Sequence, residues 1–238
     1  MRPFERFGFE HWLAIALIAA AAVGLVRLLR REPRAAARER VVRVGLAAFL
    51  TVGLLIALVD SLPLRGLDWI DILPLHFCDF AVLVAIVALV TRRQAVCELL
   101  YFWGLSGTVI AMLMPDVDRG FPDARCASFF ALHGVVAISA AVVAFGMDVR
   151  PRPGANWRVF WFTNAYAALI AVIDWTAGEN FLYLRAKPSQ PSILDLMGPW
   201  PWYILAADAL AWSIFRALMI PFEARPSGGV TTGRRRDP

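Results

Sequence analysis

Seven stretches of roughly 20 apolar residues, separated by short charged or proline-bearing links, dominate the chain. A hydrocarbon core about 30 Å thick is crossed by about 20 residues of helix. Backbone N–H and C=O groups inside it find no water, so only helices or closed barrels can span. Continuous apolar runs of this length read as helices, and spans are expected at 11–29, 41–60, 72–91, 95–114, 126–147, 157–176 and 201–219. The fold class that follows is all-α, a polytopic membrane bundle of seven transmembrane helices. Residues 1–222 make a single transmembrane domain and 223–238 a disordered basic cytoplasmic tail, which leaves little chain for any soluble domain.

The charges set an orientation. Met1–Glu10 carries acidic residues and no small-residue cleavage site precedes the Arg-rich link, so the first apolar run is expected to be retained as a span. Of 24 Lys and Arg, 16 fall in the alternate links and tail that share one side, and seven fall on the other. The positive-inside rule then places the N-terminus outside and the C-terminus inside, as a multi-pass protein of the bacterial inner membrane. The net charge of +5 is accounted for by this asymmetry and by lipid head groups, and it calls for no nucleic acid partner. The three cysteines, Cys78, Cys97 and Cys126, are odd in number and lie in or at the ends of spans, which argues against a disulfide framework.

Polar residues inside spans are costly and usually face a cavity or one another. With this orientation Asp60, His76, Cys78, Asp79, His133, Asp174 and Asp208 fall in the outer part of the membrane, from five different spans. The inner half holds only Glu98, Asn164 and Arg216, so a cavity is expected to open toward the outer leaflet. Glu98 is expected to snorkel to the inner interface, and His11 to sit at the outer one. The Gly104–Gly107 stretch reads as a close helix approach. The acidic loop with Asp116, Asp118 and Asp123 reads as solvated, and the loop 178–199 as a partial lid.

Helical angles divide the polar residues of the third span. At about 100° per residue, His76 and Asp79 lie about 60° apart, whereas His76 and Cys78 lie about 160° apart. His76 is therefore poorly placed to activate Cys78. His133 is the remaining membrane histidine, and at about 1.5 Å per residue it lies about 10 Å into its span, against about 9 Å for Cys78. An imidazole that takes the thiol proton makes cysteine a nucleophile suited to acyl transfer. Asp174 and Asp208 are candidates to orient the imidazole, and Asp79 and Asn180 to hold a polar head group. The same residues also admit a structural reading, with Cys78 packed as a small hydrophobe and His133 in a satisfied interhelical hydrogen bond.

Other classes remain open on residue types. His76, Asp79, Asp174 and Asp208 would serve a proton- or cation-coupled transporter, although no internal repeat is evident and few polar groups continue to the inner face. A zinc site is disfavoured by the opposed directions of His76 and Cys78. No metal or cofactor is expected. The sequence sets no oligomeric state.

The segments Leu73-Pro74-Leu75-His76-Phe77-Cys78, Phe129-Phe130-Ala131-Leu132-His133 and Asn180-Phe181-Leu182-Tyr183-Leu184, followed by Lys187-Pro188 and Gly198-Pro199-Trp200-Pro201-Trp202-Tyr203, resemble the YwaF-like family of bacterial integral membrane proteins. The resemblance covers the third to seventh spans and is most specific in the Gly-Pro-Trp-Pro-Trp-Tyr stretch. That family is similar to a eukaryotic transmembrane acyltransferase acting on ether phospholipids and, more distantly, to the androgen-induced membrane hydrolases of fatty acid esters. The resemblance implies Cys78 as nucleophile and His133 as base. His76, Asp79, Asp174, Asn180, Tyr183, Asp208, Trp200 and Trp202 are the expected supporting or substrate-binding groups. The expected function is a lipid acyltransferase or transacylase, or an acyl-ester hydrolase, whose partner is a membrane phospholipid or acyl lipid.

Overall fold

Helices account for the regular structure of the described residues. The computed structural model describes residues 2–31, 35–61, 73–188 and 191–223, and among them the sole extended pairing is an isolated antiparallel bridge between Pro3 and Arg119. In chain order the helices are α1 (Phe9–Leu29), α2 (Ala35–Ser61), α3 (Phe77–Thr91), α4 (Gln94–Leu105), α5 (Gly107–Leu113), α6 (Ala124–Ala141), α7 (Ala155–Ala177) and α8 (Trp202–Glu223). A π-helical turn, Val142–Gly146, extends α6, and a 3-10 turn, Ile193–Met197, precedes α8. With α4 joined to α5 and α6 to its π-turn, six helices are long and apolar enough to cross a membrane, and α3 is a shorter apolar helix. This is a multi-pass helical membrane protein. The Asp60 side chain, Arg65 and the tail beyond residue 223 lie outside the described residues.

The third span starts later than its hydropathy suggests. Pro74 disfavours helical backbone at the residue before it, and His76 caps α3 in an extended conformation (φ −64°, ψ 142°), so helix begins at Phe77. Cys78 therefore occupies the first turn of α3 instead of lying about 9 Å along a helix that begins at Ile72.

The fourth span is broken. Ser106 leaves helical geometry (φ −116°, ψ −84°) between α4 and α5. The Ser106 hydroxyl donates to Phe102 O at 2.5 Å and the Thr108 hydroxyl to Trp103 O at 3.3 Å, so carbonyls released by the break are satisfied. Glycines flank it for a steric reason: a Cβ at Gly104 would lie 2.8 Å from Ala140 Cβ, and one at Gly107 would lie 2.5 Å from the Phe77 ring. The Gly104–Gly107 stretch thus lets both α6 and the start of α3 come close.

α4–α5 and α6 form the centre, with α3 wedged among α2, α4 and α6. Trp103 is fully buried there, donates from Nε1 to Thr163 Oγ1 at 2.8 Å, and meets the rings of Phe77, Phe80 and Tyr166. α7 and α8 pack on each other and join the centre through α4 and the buried Phe215 and Met219. The outer helices turn large apolar side chains away from the bundle, with Phe9 80%, Val41 72% and Trp175 79% exposed. Lipid is the solvent that suits such a surface.

Glu98 departs from the snorkelling expectation. Its side chain is only 2% exposed and accepts from Arg152 Nε at 2.8 Å, from Arg158 Nη2 at 3.2 Å, from the Arg152 backbone N–H at 3.0 Å and from Gln94 Nε2 at 3.2 Å. Arginines from the segment before α7 and from its first turn come to the carboxylate, so it need not reach out to the interface.

Candidate active site

Cys78 lies where two cavities meet. The smaller, about 40 Å³, is lined by Cys78, Asp79 and Val82 of α3, Thr108 of α5, and Leu132, His133 and Val136 of α6. The larger, about 290 Å³, runs from Cys78 along Ile110 and Ala111 of α5, Met114 just beyond it, and Phe129 of α6. It is roofed by Tyr183, Pro188 and residues 191–194. Its walls are mostly apolar, with Arg6, Asp116 and Ser192 as polar exceptions.

Local sequence fixes the His133 tautomer. Nδ1 lies 2.8 Å from the Phe129 carbonyl one turn back, and a carbonyl only accepts, so Nδ1 carries the hydrogen. Nε2 is then left with its lone pair, buried and without a hydrogen-bond partner among the described residues. Stacking on Phe129 at 4.1 Å between centroids holds the ring in place. An imidazole with a bonded Nδ1–H and a free Nε2 lone pair is equipped to take a proton. The bond that His133 makes is intrahelical, not the interhelical one of the structural reading.

The third histidine shows the contrast. His11 is fully buried rather than interfacial: its Nδ1 accepts from Phe7 N–H at 2.9 Å and its Nε2–H donates to Met112 O at 2.7 Å. Both nitrogens are used, and the ring sits among Phe4, Phe7, Trp12 and Phe130.

The remaining expected residues divide between cavity and roof. Asp79 lines the small cavity and Tyr183 the large one. Burial, with Asp116 and Cys78 adding to it, pushes the Tyr183 phenol up, so it stays neutral beside the thiol. His76 donates from Nδ1 to Phe181 O at 3.1 Å, and Asp174 accepts from Phe181 N–H at 3.0 Å, so Phe181 is pinned from both sides of its backbone. Asp174 therefore holds the roof and does not orient the imidazole, whose Nδ1 already belongs to Phe129.

Asn180 is occupied inside the loop, donating to Ala186 O at 2.8 Å and accepting from Arg185 N–H at 3.0 Å, so it does not present its amide to a head group. Asp208 accepts from Asn164 Nδ2 at 3.0 Å and lines neither cavity. That bond brings together two residues expected in opposite halves of the membrane, because Asn164 lies near the middle of α7 and faces the upper half of α8. Trp200 donates to Leu184 O at 3.0 Å and Trp202 is 64% exposed, which suits an anchoring role. Tyr203 supports the roof by donating to Tyr183 O.

Arg6, Thr108, Ile110 and Met114 had no signal in the sequence. Arg6 donates to Pro191 O at 2.9 Å and Pro115 O at 3.5 Å, tying the N-terminal segment to both loops around the large cavity. Asp123, expected to be solvated, instead caps α6 by accepting from Arg125 N–H at 2.9 Å. All three cysteines are free thiols. Among the described residues no three His, Cys, Asp or Glu side chains converge as a metal site.

Comparison with known proteins adds a family. A protein of Treponema pallidum (strain Nichols), described as uncharacterized, is 31% identical over 230 residues, covering 94% of this chain and 91% of that one. No solved structure matches. The model of the TMEM164 family matches residues 6–219, from the arginine at the large cavity to the last turns of α8, and the chain belongs to the TMEM164 family.

Proposed function

We propose that this protein is a membrane-embedded lipid acyltransferase or transacylase that uses Cys78 as nucleophile and His133 as base. The observation that supports this reading is the shared small cavity. A free thiol and an unpartnered imidazole nitrogen line the same space, and the thiol also borders an apolar cavity of about 290 Å³. His133 Nε2 takes the Cys78 proton, and the thiolate attacks the ester carbonyl carbon of an acyl lipid. The ester C–O bond breaks, His133 returns the proton to the departing alkoxide, and an acyl-thioester remains on Cys78. A hydroxyl of an acceptor lipid then gives its proton to His133, attacks the thioester and releases the thiol.

In this reading the chain resembles the YwaF-like branch, α3 is a seventh membrane-crossing helix, and residues 1–222 form one domain. The N-terminus is outside, the C-terminal tail is cytoplasmic, and the cavities face the outer leaflet of the bacterial inner membrane. The substrate is a membrane phospholipid or acyl lipid whose chain lies in the large cavity, with Asp79 and Tyr183 beside the reacting group. Arg6 and Asp116 are the charged groups in its lining. An acyl-ester hydrolase is the same mechanism with water as acceptor, and the small cavity has room and polar partners for one water.

The test is acyl exchange among phospholipids in reconstituted vesicles, followed by mass spectrometry. Cys78→Ala and Cys78→Ser are expected to abolish exchange and the acyl-thioester adduct. Unchanged exchange in both variants would sink the covalent mechanism, and free fatty acid in place of a new acyl lipid would identify the hydrolase.

A further inference from the structure

At the opposite end of the bundle from Cys78, α1 and the π-turn after α6 enclose a groove of about 370 Å³. Its floor is Ala22, Val23 and Val26 of α1 with Ala141 and Phe145 opposite, and Arg27 and Arg30 stand at one end. The close fit has a local cause: a Cβ on Gly146 would lie 3.0 Å from Leu29 Cδ1, so glycine is what lets α1 approach the π-turn. The turn itself shifts the backbone bond to Met147 N–H→Val142 O at 2.8 Å, and Phe145 O accepts from Arg30 Nε at 2.8 Å. That bond fixes the guanidinium plane and leaves its two terminal amino groups for a ligand. Arg27, three residues earlier, shares the same face of α1.

Charge decides what fits there. Among the described residues, carboxylates at this end have partners: Glu39 pairs with Arg92 at 3.2 Å, Asp148 with Arg150 at 2.7 Å, and Glu98 with Arg152 and Arg158. None lines the groove. Two arginines without an acid between them form a bidentate phosphate site, and an apolar trough leading from it suits an acyl chain. We infer that this groove binds an anionic phospholipid, with its phosphate between Arg27 and Arg30 and one acyl chain along Val23 and Val26. An anionic lipid is specified over a zwitterionic one because, among the described residues, no carboxylate lines the groove to receive an ammonium group.

The site is independent of Cys78 chemistry and is read without it. Full-length protein in mild detergent is delipidated, given dioleoylphosphatidylglycerol or dioleoylphosphatidylcholine, and followed by native mass spectrometry and thermal unfolding. One phosphatidylglycerol is expected to be retained in preference to phosphatidylcholine and to raise the melting temperature. Arg27→Gln with Arg30→Gln is expected to weaken that retention by at least about tenfold, the loss of about 1.4 kcal/mol of charged contacts. Val23→Trp, which fills the trough and leaves both charges, is expected to do the same. Arg30→Lys controls for folding, since it keeps the charge while losing the Phe145 bond. Equal retention of the two lipids, no retention of either, or wild-type preference in both the double variant and Val23→Trp would overturn the inference.

Discussion

Two buried polar groups near opposite ends of one bundle, Glu98 and His133, are treated in opposite ways. At the end bearing the arginine-rich links, Glu98 is 2% exposed and bonded to Gln94, Arg152 and Arg158 on every side. At the other end Cys78 and His133 share a cavity, and the imidazole keeps one nitrogen without any partner. A low-dielectric interior makes a satisfied network rigid and an unsatisfied group costly. Among the described residues Asp174 Oδ2 and nitrogens of Arg38 and Arg43 are also buried without partners, so what sets His133 apart is that its free nitrogen and a free thiol line one cavity.

The comparison can be broken most decisively at His133. His133→Ala is expected to lower acyl exchange by about 10²–10⁴-fold per folded molecule, the range for loss of a general base. A variant that melts early but keeps its activity would reverse the assignment. Next in size is Glu98→Ala, expected to cost about 2–3 kcal/mol of stability by leaving two half-exposed arginines without their acceptor. Unfolding in mixed micelles measures it, and retained exchange activity in the folded fraction would sharpen the contrast.

His11→Ala tests the distinction within one residue type. It should cost about 2 kcal/mol through the lost bond to Met112 and the orphaned Phe7 N–H, yet leave exchange at the wild-type rate per folded molecule. The smallest effect is expected from Asp174→Asn, about 1 kcal/mol. Weaker pinning of Phe181 should loosen the roof and speed alkylation of Cys78 by maleimide, read by site-resolved mass spectrometry. Unchanged alkylation would detach Asp174 from the roof.

Much of the bundle was legible because hydropathy is local. The six long helices fall where their apolar runs lie, and the Gly104–Gly107 packing function was visible as a cluster of small residues. The start of α3 was misjudged because apolar composition extends through Pro74, whose effect is conformational. The break at Ser106 carried no hydropathy signal at all. In the candidate site, Cys78 and His133 were singled out from residue type and depth, and the structure brings them to one cavity. His76, Asp174 and Asn180 had equal standing as polar residues, yet their partners are the Phe181 backbone and the loop itself. Arg6 was seen only as a charge in the N-terminal segment, although it ties two loops around the large cavity.

By itself the amino-acid order determined a helical membrane protein, the rough positions of its spans and a short roster of polar residues too costly to be there without cause. Those properties depend on composition over about 20 neighbouring residues, which is what burial in hydrocarbon reads. Only the tertiary structure decided which of those residues are spent on each other and which remain unpaired. Whether a lone pair has a partner depends on atoms brought from distant parts of the chain, as Phe181 is for Asp174 and Arg152 for Glu98, and no local pattern encodes it.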